Sequence, residues 1–245
     1  MPVFIVAEIG VNHDGSIERA KMLVRNAHLA GADAVKFQLW SANRFPKIEN
    51  LRLSPSQLNE AISIAEALRI PWFCTPFDLE SVSILYDLGM KRWKIPSGFL
   101  KDEAYLNAIA DSGPTKVILS TGKGNLDKEP TIKEINHCIA KFLDGSEVTI
   151  LYCVSKYPAL PKDFFLPSIA GLRTIFPLCE IGFSDHSNLI ELSLGAVALG
   201  ATTIERHITY DHLANGPDHR SSLMPDQFYT MVRQIRNIEK ASGMR

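Results

Sequence analysis

The chain has 245 residues, of which 46% are hydrophobic and 22% are charged, and its formal net charge at pH 7 is −1. This is the composition of an ordinary globular protein, and the near-neutral charge argues against nucleic acid or an anionic membrane as a partner. No apolar segment reaches transmembrane length, and no basic stretch precedes the first apolar residues, so we expect neither a membrane span nor a signal peptide.

The cysteines are far apart in the sequence and form no CxxC pair. They are Cys74, Cys138, Cys153 and Cys179. This usage is typical of buried thiols in a reducing compartment, and not of a disulfide framework or a zinc site. We therefore expect a cytoplasmic protein.

Short apolar segments alternate with longer amphipathic segments along the chain. The short segments predict eight strands, at residues 3–9, 34–39, 72–75, 92–96, 116–121, 148–154, 181–184 and 203–207. The longer segments predict eight helices, at residues 17–30, 55–67, 80–88, 102–110, 132–142, 167–175, 189–199 and 225–240. Capping residues precede several of these helices, among them Ser16, Ser54, Asp78 and Asp102.

Eight strand–helix units in 245 residues give about 31 residues per unit, which is the spacing of a (β/α)8 barrel. The strands are apolar on both faces, as expected for parallel strands that are covered on both sides. The alternative is a doubly wound sheet, which usually has a GxGxxG turn after its first strand, whereas this chain has Gly10-Val-Asn-His-Asp-Gly15 there. We predict the α/β class, with a single-domain TIM barrel over residues 1–245.

In such a barrel the C-terminal ends of the strands carry the active site, and polar residues lie at the end of every predicted strand. They are Glu8, Lys36, Gln38, Thr75, Lys94, Ser97, Ser120, Ser155, Tyr157, Ser184, Asp185, His186, Glu205 and His207. Lys36 and Lys94 lie within apolar strands, and together with the serines they supply the donors that a phosphate needs. Because burial of an unpaired lysine costs roughly several kcal/mol, we expect a bound phosphate to be the partner of both lysines.

Two predicted strands end in a histidine, His186 and His207. If these strands are neighbours, both imidazoles point into one pocket and form a divalent-metal site. The alternative is that the two histidines only make hydrogen bonds at the strand ends.

Eight motifs follow one another through nearly the whole chain. They are Ala7-Glu-Ile-Gly-Val-Asn-His13, Gly31-Ala-Asp-Ala-Val-Lys-Phe-Gln38, Lys94-Ile-Pro-Ser-Gly98, Ser120-Thr-Gly122, Cys153-Val-Ser-Lys-Tyr-Pro158, Gly182-Phe-Ser-Asp-His186, Glu205-Arg-His-Ile-Thr209 and Gly216-Pro-Asp218. Together they resemble the sialic acid synthase family, whose members condense phosphoenolpyruvate with N-acetylmannosamine. The resemblance implies a (β/α)8 barrel, in agreement with the strand–helix spacing.

The resemblance also implies a role for each matching residue. His186 and His207 would hold a divalent ion, Mn²⁺ or Mg²⁺. Phosphoenolpyruvate would contact Lys36, Lys94, Ser97, Ser120, Ser155 and Ser184. The sugar and the reacting centre would be faced by Glu8, Gln38, Tyr157 and Asp218. We expect Glu8 to be the acid–base catalyst, with a structural pairing to Lys36 as the alternative.

Two features depart from the family pattern. Phe99 follows Ser97-Gly98, where the family's sugar-binding pattern has Glu. The family also usually adds a C-terminal antifreeze-like domain that lends an Arg to the partner subunit's sugar site, whereas this chain stops at Arg245. From both features we expect an aldose other than N-acetylmannosamine. As protein partner we expect either a second copy of the chain or a separate chain that supplies the cap domain.

These residues predict a metal-dependent synthase that condenses phosphoenolpyruvate with an aldose, giving a 2-keto-3-deoxy sugar acid and phosphate. Two alternatives stay open. One is a metal-dependent aldolase acting on a phosphorylated sugar, and the other is a non-catalytic barrel that binds phosphoenolpyruvate or a sugar acid. The scaffold alone does not distinguish the three functions.

Overall fold

A computed structural model describes residues 2–122 and 131–243 of the protein, and its eight strands form a closed parallel barrel in chain order. The strands are β1 (Phe4–Gly10), β2 (Ala34–Leu39), β3 (Trp72–Pro76), β4 (Arg92–Ile95), β5 (Lys116–Ser120), β6 (Glu147–Cys153), β7 (Glu180–Asp185) and β8 (Thr203–His207). The helices that alternate with them are α1 (Ile17–Leu29), α2 (Pro55–Ala67), α3 (Leu79–Asp87), α4 (Glu103–Asp111), α5 (Ile132–Ala140), α6 (Ser168–Ile175), α7 (Glu191–Ala198) and α8 (Pro225–Ala241). The predicted (β/α)8 architecture is confirmed.

The capping residues explain where the first four helices begin. Each accepts a hydrogen bond from the backbone N–H three residues later: Ser16, Ser54, Asp78 and Asp102. Such a bond satisfies one of the N–H groups that a helix leaves unpaired at its start. Accordingly α1, α2, α3 and α4 each begin at the residue directly after the cap.

Element boundaries differ from the predicted ones by one or two residues, for local reasons. Strand β4 ends at Ile95, one residue early, because the next residue is a proline with no N–H to donate. Helix α7 begins at Glu191 and not at residue 189. Before it, Ser187 N donates to Asp185 Oδ1 and Leu189 N donates to Ser187 Oγ, so this segment forms turns.

Four short 3-10 helices, which the sequence pattern does not predict, lie in the described loops. They are Pro46–Leu51, Ser97–Phe99, Pro161–Asp163 and His219–Ser221. All of them follow a strand and precede a helix, so they build the mouth of the barrel at the C-terminal ends of the strands.

The strand register brings the polar strand ends together at that mouth. Glu8 of β1 lies opposite Lys36 of β2 on one side and His207 of β8 on the other. Ser184 of β7 lies opposite Glu205 of β8. Since alternate residues of a strand point to opposite faces, Glu205 and His207 share the face that points into the barrel.

Helix α8 packs against the core and is hydrogen-bonded to the segment just before β1. Its apolar side closes the core, since Phe228, Met231 and Ile235 are all fully buried. Arg236 Nη1 donates a hydrogen bond of 2.7 Å to Val3 O, just before β1. The pairing of β1 with β8 closes the barrel.

Within the described residues, no helix combines the length and the apolar character needed to cross a membrane.

Candidate active site

Four charged side chains meet inside the barrel at the C-terminal ends of its strands. Lys36 Nζ lies 2.8 Å from Glu8 Oε2 and 3.5 Å from Glu205 Oε2. Lys94 Nζ lies 3.2 Å from Glu205 Oε1. Each of these side chains is at most 5% exposed. We call the four residues the charge cluster, and its formal charge is zero when all four are ionised.

Burial and neighbouring charges shift the pKa values of the charge cluster in different directions. Burial raises the pKa of Glu8 from 4.5 to about 7, against the attraction of Lys36. Burial acts on Glu205 in the same way, but Lys36 and Lys94 outweigh it, and the pKa of Glu205 lies below its ordinary value. Of the two carboxyl groups in the cluster, Glu8 is therefore the one that exchanges a proton near neutral pH.

Carboxylates pair with both lysines of the charge cluster: Lys36 contacts Glu8 and Glu205, and Lys94 contacts Glu205. Burial of the lysines therefore does not by itself require the bound phosphate that we expected, and phosphate binding at these lysines stays a prediction. Glu205 was predicted to lie at a strand end but was assigned no role in the site. It precedes His207 by two positions on a strand and so shares its face, and this spacing is the signal that indicates such a role. The pairing of Glu8 with Lys36 is the contact that the alternative reading of Glu8 predicts.

Three uncharged side chains hold the charge cluster in place. Gln38 Nε2 donates to Glu8 Oε1 at 2.9 Å. Ser184 Oγ donates to Glu205 Oε1, also at 2.9 Å. Lys36 Nζ donates to Thr75 Oγ1 at 3.1 Å. The bonds from Gln38 and Ser184 each occupy one carboxylate oxygen and so fix the orientation of Glu8 and Glu205. The bond to Thr75 occupies one proton of Lys36 and fixes the position of its ammonium group.

His186 and His207 lie side by side, with ring centroids 5.5 Å apart, and each is 4% exposed. His186 Nδ1 is 2.7 Å from Val154 O, which can only accept, so Nδ1 carries the proton and Nε2 presents a lone pair. Tyr157 OH lies 3.1 Å from that Nε2. Burial lowers the pKa of His186 to about 4, and it lowers the pKa of His207 well below the ordinary value. Both imidazoles are therefore neutral at pH 7, the form that binds metals.

The second imidazole has an unused nitrogen beside a carboxylate. His207 Nδ1 is buried, has no hydrogen-bond partner in the described part of the chain, and lies 3.6 Å from Asp218 Oδ2. Burial raises the pKa of Asp218 to about 6. A methyl group placed on Gly10 would lie 3.2–3.3 Å from Glu8 Oε1, His207 Cε1 and Asp218 Oδ2. The lack of a side chain at Gly10 thus keeps a space open among these groups.

The two neutral imidazoles form a partial ligand set for a divalent ion, and one of them, His207, has a buried nitrogen without a partner in the described part of the chain. Across residues 2–122 and 131–243, no group of three or more His, Cys, Asp and Glu side chains is arranged to hold a metal. An ion on His186 and His207 would therefore complete its coordination with water or substrate oxygens, as open catalytic sites do. Imidazole nitrogens are softer than the all-oxygen set that Mg²⁺ prefers, so of the two expected ions Mn²⁺ fits better.

Hydroxyl groups and a glycine form a second polar surface at the same mouth. At Gly122, two residues after the end of β5, an added methyl group would collide with the Ser97 side chain and lie 3.2 Å from Ser155 Oγ. Gly122 has a φ of +58°, which glycine adopts without strain. Ser120, two residues earlier, is 5% exposed. The absent side chain leaves an opening between two hydroxyls, which we call the serine opening.

Phe99 belongs to an aromatic array at the rim of the mouth. Its ring centroid is 4.5 Å from that of Tyr105 and 6.1 Å from that of Phe77. The Phe77 ring in turn lies 5.5 Å from Phe45, in the loop after β2. Phe99 is half-buried, so its ring contributes packing between the strand-end loops.

Comparison with known proteins identifies relatives of the chain. The family model described as the NeuB family matches residues 43–245. The N,N'-diacetyllegionaminic acid synthase of Campylobacter jejuni is 38% identical over an alignment that covers 98% of this chain and 77% of that protein. The N-acetylneuraminate-9-phosphate synthase of Mus musculus is 35% identical, with coverage of 99% and 72%.

Among solved structures, the chain is similar to the N-acetylneuraminic acid synthetase of Leptospira borgpetersenii, whose crystals contain citrate. The TM-score is 0.90 at 32% sequence identity, and the match covers 99% of this chain and 86% of that one. Similarity at this level extends over the whole barrel, including the first two strands that precede residue 43.

Proposed function

Since the chain belongs to the NeuB family and is an enzyme of the sialic acid synthase type, we propose that it condenses phosphoenolpyruvate with an aldose. The products are a 2-keto-3-deoxy sugar acid and phosphate. The observation that carries the proposal is that one barrel mouth combines the charge cluster, the pair of neutral imidazoles and the serine opening. These groups supply cations, metal ligands and hydroxyl donors within one pocket.

Phosphoenolpyruvate is proposed to bind between the lysines and the hydroxyls. Lys36 and Lys94 attract its anionic groups, and hydroxyl donors bond its oxygens from Ser97, Ser120, Ser155 and Ser184. Because the charge cluster is neutral as a whole, an added anion is stabilised only if positive charge enters with it or Glu8 takes up a proton. A divalent ion held by His186 and His207, preferably Mn²⁺, would supply that charge and polarise the aldehyde oxygen as a Lewis acid.

Glu8 is proposed to handle the protons of the reaction. When the methylene carbon of phosphoenolpyruvate attacks the aldehyde carbon, the aldehyde oxygen needs a proton. When water adds to the second carbon, a proton is released. With a pKa of about 7, Glu8 can donate the first and accept the second. Gln38 and Lys36 hold its two oxygens and so orient it. Loss of phosphate from the resulting tetrahedral carbon leaves the keto acid.

The aldose is proposed to lie against Tyr157 and Asp218, beside the imidazoles. Phe99 presents an aromatic ring where the family pattern has a carboxylate. A site that lacks a hydrogen-bonding partner loses discrimination in favour of the hydroxyl that would use it. We therefore propose that the preferred aldose is less hydroxylated near Phe99 than N-acetylmannosamine, for example a deoxy sugar.

We also propose a cytoplasmic location for the enzyme. All four cysteines are free thiols, and three of them are buried. This pattern fits a compartment in which thiols stay reduced.

The proposed activity is tested by measuring release of inorganic phosphate from phosphoenolpyruvate with Mn²⁺ and a panel of aldoses. We expect release that depends on both the aldose and Mn²⁺. An aldolase for phosphorylated sugars would leave phosphoenolpyruvate intact. A non-catalytic barrel would bind phosphoenolpyruvate without releasing phosphate. Either of these results would refute the proposal.

The metal ligands are tested by substitution. His186→Ala and His207→Ala should each abolish turnover and lower the affinity for Mn²⁺, because each removes one of only two imidazole donors. Mn²⁺ affinity is measured by titration with electron paramagnetic resonance, and circular dichroism checks that the barrel is folded. His137→Ala is the control, since that histidine is 57% exposed on α5. Full activity of protein treated with EDTA would contradict the metal assignment.

The role of Phe99 is tested by steady-state kinetics with N-acetylmannosamine and several deoxy aldoses. Phe99→Glu should raise kcat/KM for N-acetylmannosamine relative to the deoxy aldoses, because it restores a hydroxyl acceptor. Phe99→Leu separates this effect from lost packing against Tyr105, since it removes the ring without adding a carboxylate. If N-acetylmannosamine gives the highest kcat/KM with the unmodified chain alone, the proposal about the aldose is wrong.

A further inference from the structure

A second cavity lies at the opposite end of the barrel, among the N-terminal ends of β1 and β4 to β8. Its volume is about 780 Å³, which lies within the ~300–1,000 Å³ range of small-molecule sites. The apolar part of its wall consists of Pro2, Phe4, Ile118, Leu143, Val148 and Leu178. The candidate active site opens at the other end of the same strands, so this cavity is separate from it.

Two large apolar side chains at this cavity are exposed to water. Leu178 is 80% exposed and Leu143 is 40% exposed. An apolar partner that covers such a side chain removes its surface from water and so favours binding. The cavity therefore offers apolar surface that an occupant with an apolar body would cover.

Most charged groups that line the cavity already have partners. Lys116 Nζ lies 2.6 Å from Glu147 Oε2. The Glu180 carboxylate accepts a hydrogen bond from the Thr202 hydroxyl. Arg92 differs from them, because its guanidinium makes no hydrogen bond or ion pair with any residue in the described ranges of the chain. Among the residues described, it is the one cationic group of the lining that has no carboxylate in direct contact, although Glu147 attracts it from a greater distance.

The position of Arg92 leaves its hydrogen-bonding edge free. Its Cζ atom lies 4.5 Å from the centroid of the Phe4 ring and 5.7 Å from that of Phe73. Stacking on aromatic faces uses the plane of the guanidinium and keeps the N–H groups at its edge available. Arg92 is also partly buried, and burial lowers its pKa. A partly desolvated cation of this kind gains more from an anion than an exposed one does.

We propose that this cavity binds a small carboxylate with an apolar body, held through a bidentate pair with Arg92. The fork of the guanidinium matches the two oxygens of a carboxylate. A single unpaired cation matches a monoanion, whereas a phosphate dianion would be repelled by Glu147 and Glu180 in the same lining. The apolar body covers the wall that Leu143 and Leu178 expose. This site is independent of the proposed catalytic function.

The test uses 3-phenylpropanoate and 4-methylpentanoate as probes, with 3-phenylpropanamide as the uncharged counterpart, in isothermal titration calorimetry on the whole chain. We expect saturable binding of at least one carboxylate, and binding of the amide at least about tenfold weaker than that of its acid. Arg92→Gln should weaken carboxylate binding by at least about tenfold. Lys116→Gln should change it less than about twofold, since this lysine is paired and exposed.

A second variant covers the case in which Arg92→Gln does not fold. Leu178→Asp changes an exposed side chain and adds a negative charge at the rim, so it should also weaken carboxylate binding while leaving the melting temperature unchanged. Methyl NMR locates the site, with shifts expected at Ile118 and Leu143 and not at the catalytic mouth. The proposal is overturned if neither carboxylate binds saturably, if acid and amide bind equally, or if the shifts lie at the catalytic mouth.

Discussion

Lys36 and Lys94 hold different positions in the charge cluster. Among the described residues, Lys36 has polar contacts with Glu8, Glu205 and Thr75, whereas Lys94 has one with Glu205. Removing one partner of a buried ion pair costs about 3–5 kcal/mol because a charge is left unpaired. Without Lys36, Glu8 would lose the cation that it contacts in the described part of the chain, but without Lys94, Glu205 would keep Lys36. Substitution of Lys94 therefore affects ligand binding with less damage to the fold.

Lys94→Met should weaken the affinity for phosphoenolpyruvate by about 10- to 100-fold, since a charge-assisted contact contributes about 1.5–3 kcal/mol. Calorimetric titration of folded protein in the presence of Mn²⁺ measures the effect. Lys116→Met at the opposite end of the barrel is the matched control and should leave this affinity unchanged. An unaltered dissociation constant in the Lys94 variant would count against the proposed phosphate site.

His13 makes the stability of the fold depend on pH. It is 2% exposed, and its Nδ1 accepts a hydrogen bond of 3.1 Å from Gly15 N. Burial lowers the pKa of His13 from 6.5 to about 4. The unfolded chain therefore binds a proton at His13 more tightly than the folded protein does. The contribution of neutral His13 to the free energy of unfolding is fully present above pH 6.5 and is lost as pH falls towards 4. The loss amounts to about 3 kcal/mol at most.

His13→Asn should flatten the pH dependence of unfolding between pH 6.5 and 4, because the amide oxygen can accept the same hydrogen bond without titrating. Urea unfolding followed by circular dichroism at several pH values gives the free energies. His28→Asn, at an exposed position on α1, serves as the control. A slope in His13→Asn equal to that of the unmodified protein would show that other groups carry the dependence.

At the scale of single elements, β7 depends on the absence of a side chain. A methyl group on Gly182 would lie 2.5 Å from Thr203 O and 2.6 Å from Leu151 Cδ2, so neighbours in β8 and β6 would have to move. Gly171 in α6 is the opposite case, because nothing lies within 4 Å of its added methyl group. An added methyl group therefore has no room at Gly182 in a strand but has open space at Gly171 in a helix.

Gly182→Ala should destabilise the protein by about 1–3 kcal/mol, the usual cost of overpacking. It should also reduce activity, since β7 carries Ser184 and leads to His186. Gly171→Ala should stabilise the protein by about 0.5–1 kcal/mol, because alanine is the better helix former. Thermal unfolding of both variants measures the difference. A change of the same sign in both would contradict this account of β7.

Helices that follow a capping residue could be predicted from the sequence. The capping groups of Ser16 and Asp78 act within three residues; the predicted start of α1 is correct, and that of α3 differs by one residue. The 3-10 helix at Ser97–Phe99 and the turns around Ser187 could not be predicted in this way. The hydrogen bond of the 3-10 helix joins Phe99 N to Pro96 O in the backbone, and the turns join residues two positions apart, so each segment is too short to show an apolar period.

At the scale of the whole molecule, the site combines residues that are distant in sequence. The alternation of strand residues predicts that Glu8, Lys36 and Lys94 point into a barrel. It does not predict which of them touch, because distances across the mouth depend on register and barrel closure. For this reason the predicted residues gather at one mouth, while the pairing of Glu205 with both lysines was not predicted.

The pairing of β1 with β8, fastened by Arg236 of α8, also has a consequence for synthesis of the chain on the ribosome. Of the two neighbours of β1, β2 is made directly after it, whereas β8 is made only after β2 to β7. Until β8 has left the exit tunnel, β1 presents an unpaired edge, the kind of surface that pairs with other chains or is shielded by chaperones. Throughout that interval Lys36 lacks Glu205, and His186 lacks His207. The nascent chain therefore carries an open sheet and no assembled site, and both defects are removed in the same late step.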